Sequence, residues 1–353
     1  MPHSLDPAVV LEQMVRFPSP ARRERGFAVH VQEVMSSLGY HAFVDEVGNV
    51  VGVRGEGPRE LMLLGHMDTA PGQIPVRWEG SRLYGRGAVD AKGALAAFIF
   101  AGSRAVLPDG ARLVVVGAVE EEAATSRGAR HLLRRPAPSA VVIGEPSGWD
   151  CLTIGYKGRL LVRYSLRRPC AHSASGEPTA AEEALGFWGW VKGFAEAYNG
   201  GIERQFDRLD ISLRAINTRS DGLWDSVSME VALRLPAGFG VASFRQAARV
   251  AAGGASLRFS AEEQAFRAPK NTPLVRAFLR AIREQGGEPR FSVKSGTSDM
   301  NVVGPAWQCP ILAYGPGDSR LDHTPEEHIE LEEYLRSIEV LTRAIELYFA
   351  GPS

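Results

Sequence analysis

VVVGAVEEEAAT, residues 114–125, is the stretch on which the reading of this chain turns. Val114, Val115, Val116 and Val119, with Gly117 and Ala118 among them, make a continuous apolar run, the pattern of a strand buried on both faces. The run ends in Glu120, Glu121 and Glu122. Adjacent carboxylates repel one another and are costly to remove from water. Either the strand simply exits into solvent, or a positive charge is held at its end.

Similar runs recur along the chain. ELMLLGHMD (60–68), SAVVIGE (139–145) and CPILAYG (309–315) read as core strands. Between them, FAVHVQEVMSSLG (27–39), AKGALAAFIFAGSRAV (91–106), TPLVRAFLRAIREQGG (272–287) and LEEYLRSIEVLTRAIELYF (331–349) carry helical periodicity. This alternation predicts an α/β domain with a mostly parallel sheet and helices on both faces. The middle of the chain differs. GRLLVRYSLR (158–167), SVSMEVALRLP (226–236) and ASLRFSAEE (255–263) alternate with period two around a helical stretch at 180–198. That pattern predicts an α+β insertion over residues 157–268, flanked by residues 1–156 and 269–353 of the first domain.

Composition narrows the function. With 353 residues and a formal net charge of −1, the chain has room for two domains and no global field for nucleic acid or a membrane surface. No apolar run approaches the ~20 residues of a membrane span. The first residues, MPHSLDPAVVLEQMVRF, lack the layout of a signal peptide. Three dispersed cysteines, Cys151, Cys170 and Cys309, suit a reducing cytoplasm.

The chemistry gathers at strand ends. His66 and Asp68 follow one strand, the glutamates another, Glu145 a third and His323 a fourth, and Asp90 precedes a helix. In open α/β sheets, ligands bind beyond the carboxyl ends of the strands. Singly, each residue has an ordinary reading, such as a hydrogen-bonded histidine, a loop histidine or a helix N-cap. Together they answer the opening question, because two divalent cations balance Asp90, Glu122, Glu145 and one hydroxide, with His66 and His323 neutral. Mixed imidazole and carboxylate ligands suit zinc, with cobalt or manganese as alternatives. Glu121, beside a ligand without being one, is then a general base for water. Asp68 is placed to accept the second ring N–H of His66.

These residues stand in LLGHMDTAPG, LYGRGAVDAKGALAA, AVEEEAATSRGA, VIGEPSG and LDHTPEEHIEL, a series that resembles the motifs of the M20 family of di-metal peptidases and deacylases, in order, from about residue 60 to 335. The resemblance implies His66 and Glu145 on one metal, Glu122 and His323 on the other, Asp90 bridging and followed by a cis peptide, and Glu121 as base. The family usually shows Asp-Glu-Glu where this chain has three glutamates. The spacing to Gly128 favours Glu121/Glu122, and Glu120/Glu121 is the alternative register.

The insertion resembles the family's dimerisation lid, which implies a homodimer. His172, in PCAHSASGEPTAAEEAL, would then reach the partner's site and stabilise an oxyanion, and Cys170 beside it resembles a Cys/His nucleophile only superficially. Arg234, Lys157 and the loop residues Ser295, Gly296 and Thr297 are implied substrate contacts, and Asp221 stands where the family has asparagine. Within the family, GEPSGWD, LTIGYKGRL and AYGPGDSRLDHTP are similar to the LysW-lysine/ornithine hydrolases. That likeness implies release of lysine or ornithine from the terminal glutamate γ-carboxyl of an acidic amino-group carrier protein. Other expectations are acetylornithine deacetylase or succinyl-diaminopimelate desuccinylase chemistry and, in a different class, a non-catalytic dimeric binding protein. Lys157, Arg159, Arg163 and Arg167 occupy odd positions, hence one face, of one predicted strand, followed by Arg168, a basic strip suited to such a carrier.

Overall fold

The computed structural model describes residues 5–172 and 174–351. The chain divides into two units. One holds everything up to Gly155, Arg267–Val293 and everything from Ser298 on; the other holds Tyr156–Phe266 and Lys294–Thr297. The sequence reading leaves that last short segment in the first unit. It joins the second because Lys157 N donates to Lys294 O at 3.1 Å and Arg234 donates to Thr297 Oγ1 at 3.1 Å. Among the described residues no helix is long and apolar enough to cross a membrane.

The first unit is α/β with a mainly parallel sheet. Arg59–His66 pairs in parallel with Ala111–Ala118 on one side and Ala140–Ile143 on the other, and Ile311–Ala313 continues in parallel beyond Ala140–Ile143. Antiparallel strands flank this centre: His41–Val44 and Val50–Arg54 beyond Ala111–Ala118, and Cys151–Tyr156 beside Ile311–Ala313. Glu60–His66, Leu113–Ala118, Ala140–Ile143 and Ile311–Ala313 are buried at every position, so both faces of the sheet are covered. Each fully buried Val, Leu or Ile contributes about 1.5–3 kcal/mol. The helix Lys92–Arg104, buried from Lys92 to Gly102, packs against the long helix Leu331–Ala350. Parallel strands share one direction, so the carboxyl ends His66, Ala118, Ile143 and Ala313 all open on one edge.

The second unit is a four-stranded antiparallel sheet in the order Asp210–Ser220, Trp224–Leu235, Gly158–Pro169, Ser256–Glu263. Leu160, Val162 and Tyr164 point inward with Val227, Met229, Val231 and Leu233, packing on Phe187 and Val191 of helix Ala180–Tyr198 and on Phe244 of helix Val241–Ala251. Thr179 and Glu182 form a reciprocal capping box at the start of the first helix.

Arg159, Arg163 and Arg167 alternate with those buried residues and lie on the open face, where Arg163 pairs with Glu230 at 3.1 Å. Arg167 lies over the Trp224 ring at 4.7 Å, with Asp221 at 3.8 Å. Arg168 turns to Glu177 and Glu183. Lys157 does not belong to this strip. It is wholly buried, its ammonium donating to Arg208 O at 2.7 Å and Asp210 Oδ2 at 2.5 Å. An ammonium removed from water needs such acceptors, so the side chain turns inward whatever its position in the alternation.

Candidate metal centre

Five of the residues singled out above, four at strand ends and Asp90 before a helix, converge. A nitrogen or oxygen of each of His66, Asp90 and Glu145 lies within 4.8 Å of the others, and the same holds for Asp90, Glu122 and His323. Asp90 belongs to both groups. His66 Nε2 is 3.1 Å from Asp90 Oδ1, while His323 Nε2 is 3.1 Å from Asp90 Oδ2 and 3.0 Å from Glu122 Oε1. The two oxygens of one carboxylate therefore address two different imidazoles. The peptide bond Asp90–Ala91 is cis, and His323 has left-handed backbone, with φ 61°. The cluster is graded in exposure: the His66 side chain is 2% exposed and that of His323 55%.

The charges ask for cations. Burial pushes the Glu121 carboxyl well above its usual pKa, although His66 opposes this; Glu145, Asp299 and Glu122 add to the rise. Burial alone would depress His66, but hydrogen bonds to Asp68 and Asp90 carry it well above the usual imidazole value. Hydrogen bonds to Asp90 and Glu122 raise His323 to about 10. Burial would raise Asp90, yet His323 and His66 hold it well below the carboxylate range. Positive charge is thus favoured at both imidazoles, the places where a cation would supply it instead of a proton. Only oxygen and imidazole donors converge here, in two groups joined by one carboxylate, so the residues fit a pair of divalent ions.

Two buried carboxylates outside those groups shape the loops. Asp68 is wholly buried; Oδ1 accepts from Glu121 N at 3.0 Å and Oδ2 from Glu122 N at 2.9 Å. His66 Nδ1 is 2.9 Å from the main-chain oxygen of Asp68 and 3.5 Å from its carboxylate. The main-chain oxygen of Asp68 is thus the nearer acceptor for the ring, with its carboxylate behind it and also engaged by the glutamate loop. Glu327, which the sequence reading passed over, accepts from three amides of the Asp90 turn. Its signal was the second glutamate of HTPEEH, four residues beyond His323.

The structure also separates the three glutamates. Glu120 adopts φ 59°, accepts from Thr125 Oγ1 at 2.6 Å, and has Arg127 and Arg22 at 3.6 and 3.8 Å. Those contacts commit it outside the two groups. Gly128 sits so close to Asn49 and Val119 that a Cβ there would come within 2.4 Å of Asn49 Oδ1 and 2.6 Å of Val119 N. Asn49 Oδ1 accepts from Val119 N at 3.0 Å, closing the loop from behind.

The remaining predicted residues belong to the second unit. His172 is exposed, with Nδ1 accepting from Ala174 N at 3.1 Å. Arg234 donates to Thr297 Oγ1, and Ser295 and Gly296 share that short segment. Asp221 caps its own turn, accepting from Leu223 N and Trp224 N at 3.0 and 2.8 Å. Cys170 contacts Asp225 Oδ1 at 3.3 Å and Ser220 Oγ at 3.6 Å rather than His172.

Asp68→Asn puts an amide N–H₂ against one of two main-chain donors. We expect turnover to fall about 10–100-fold, with about 1–3 kcal/mol of stability lost, measured by steady-state kinetics and denaturant unfolding. Wild-type kinetics in this variant would remove Asp68 from the loop's support.

Comparison with known proteins is consistent across the chain. Residues 62–347 match the family described as Peptidase family M20/M25/M40. The LysW-lysine hydrolase of Deinococcus radiodurans is 47% identical over 352 residues, covering 97% of each chain. The M20 family metallo-carboxypeptidase Sso-CP2 of Sulfolobus solfataricus superposes with a TM-score of 0.76 at 18% identity, covering 98% of this chain and 100% of that one. Bacillus subtilis YXEP, a dinuclear metal binding peptidase, gives a TM-score of 0.68 at 13% identity, over 98% and 97%. At such low identity the two structures speak to the fold alone. The family match and the full-length relative go further: this chain is a hydrolase of peptidase family M20/M25/M40.

Proposed function

We propose that the protein is a di-metal amidohydrolase that releases lysine, and by extension ornithine, from the γ-glutamyl amide of an amino-group carrier protein in amino-acid biosynthesis. The chemistry rests on the two donor groups sharing Asp90 with Glu121 beside them; the substrate rests on the name of the 47% identical relative. His66 and Glu145 would hold one ion and Glu122 and His323 the other, with Asp90 between; zinc suits this donor set best, with cobalt or manganese as alternatives. When bound, the pair polarises the scissile carbonyl and acidifies the attacking water.

Glu121 takes that water's proton and returns it to the departing lysine nitrogen, a general base turning general acid. Arg234, with Thr297 against it, is suited to hold a substrate carboxylate, and Ser295 and Gly296 to line its path. Lys157 is not suited to that role, being committed to Asp210 and Arg208. All three cysteines are free, which suits a cytoplasmic enzyme and can be checked by cell fractionation.

The deciding assay compares amine release from carrier-lysine, carrier-ornithine and N-acetylornithine. Carrier-lysine should be strongly preferred; preference for N-acetylornithine would reassign the protein to the free acyl-amino acid deacylases. Glu121→Gln should lower kcat on the preferred substrate by about 10²–10⁴-fold while keeping two metal equivalents. Near-normal turnover would sink the base assignment.

Arg159, Arg163 and Arg167 leave the open sheet face cationic, and exposed ion pairs such as Arg163–Glu230 only partly offset this. The double variant Arg163→Glu, Arg167→Glu should therefore weaken kcat/KM for carrier-lysine several-fold, most at low salt, where the Debye length exceeds about 10 Å. A small acylated amino acid should be unaffected. Equal loss on both substrates would make the strip irrelevant to the carrier.

His172 is exposed on a loop of the second unit, as a residue acting across a homodimer would be. Mixing Glu121→Gln with His172→Ala protein should then restore activity, because one hybrid site holds a complete set. Failure to recover after subunit exchange, verified by sedimentation, would exclude action in trans.

A further inference from the structure

Glu327 lies at the end of the loop that follows His323, and its side chain is 1% exposed. Such a carboxylate must be compensated. Arg86, 2.6 Å from Oε2, compensates one oxygen only. The other oxygen, Oε1, accepts from Gly87 N at 2.8 Å, Val89 N at 3.1 Å and Asp90 N at 3.2 Å. Three of the four amides from Gly87 to Asp90 thus converge on one atom, an anion-binding concavity made from main chain, while Ala88 N turns back to Gly85 O.

The location of Glu327 is itself fixed. Gly85 N donates to Glu327 O at 3.2 Å, and the next residues, His328–Glu330, pair antiparallel with Arg82–Tyr84. The backbone carrying the carboxylate is therefore latched to the backbone entering the Asp90 turn. Asp90 must keep two oxygens on two imidazoles, at 3.1 Å each, so small rotations of its backbone matter.

The geometry points to Glu327 as the positioning residue for Asp90, holding that carboxylate where it can serve both cations at once. A role confined to neutralising Arg86 would leave Oε1 without a reason to face three amides. The inference rests on the di-metal reading above. It assigns Glu327 no contact with substrate or metal.

Cobalt(II) is the probe, because binding and the visible absorption spectrum report the site without turnover. Wild-type protein, stripped with chelator and titrated, should bind two equivalents. Glu327→Gln loses the charge that gathers the amides, and Glu327→Asp keeps the charge but draws it back by one methylene. Both should bind at least one cobalt about 10–100-fold more weakly, with an altered spectrum. Should the Gln variant fail to fold, the Asp variant decides alone. Variants with wild-type affinity and spectrum, whatever their melting temperature, overturn the assignment and leave Glu327 purely structural. Wild-type protein that binds no cobalt overturns the di-metal reading and this inference with it.

Discussion

Like charges gathered at a poorly hydrated edge cannot hold themselves in place, and this protein settles the problem with main-chain N–H groups. Asp68 and Glu327 are buried carboxylates whose partners are chiefly amides: those of Glu121 and Glu122 for the first, those of Gly87, Val89 and Asp90 for the second. Charge-assisted hydrogen bonds of this kind are roughly twice as strong as neutral ones. Each fixes a loop so that a neighbouring carboxylate must face the cluster. The repulsion thereby concentrated on Asp90, Glu121, Glu122 and Glu145 is what divalent cations would relieve.

That device works only because the sheet sets its starting points. Four parallel strands with covered faces deliver His66, Ala118, Ile143 and Ala313 to one edge in fixed register. The loops then need to travel only a few residues to Asp68, Glu121 and Glu145. His323 comes from a longer excursion and is the most exposed member, an open side on an otherwise enclosed cluster. The second unit uses the opposite logic. One face of its antiparallel sheet is sealed by two helices while the other stays polar and arginine-rich.

The sequence by itself determined the strands buried on both faces, because continuous Val/Leu/Ile runs admit few other placements, and it determined which residues follow each run. The convergence of His66, Asp90, Glu122, Glu145 and His323 was legible for that reason. The period-two strands of the second unit were legible from alternation. Its edge strand Asp210–Ser220 was not, because the register shifts between Leu213 and Ala215 and the alternation slips there.

Tertiary structure alone decided the rest. The spacing to Gly128 favours one register of the glutamates without excluding the other; what separates Glu120 from Glu121 is that Glu120 folds back on Thr125 and Arg127 and meets the distant Arg22. The Asp68 carboxylate meets partners 53 and 54 residues away, and Glu327 meets Asp90 across 237. Lys157 reads as a surface cation until Asp210 and Arg208 are seen around its ammonium. Periodicity reports which way a side chain leaves the backbone. Which donor or acceptor waits for it depends on distant segments, and a polar group out of water goes wherever its partner is.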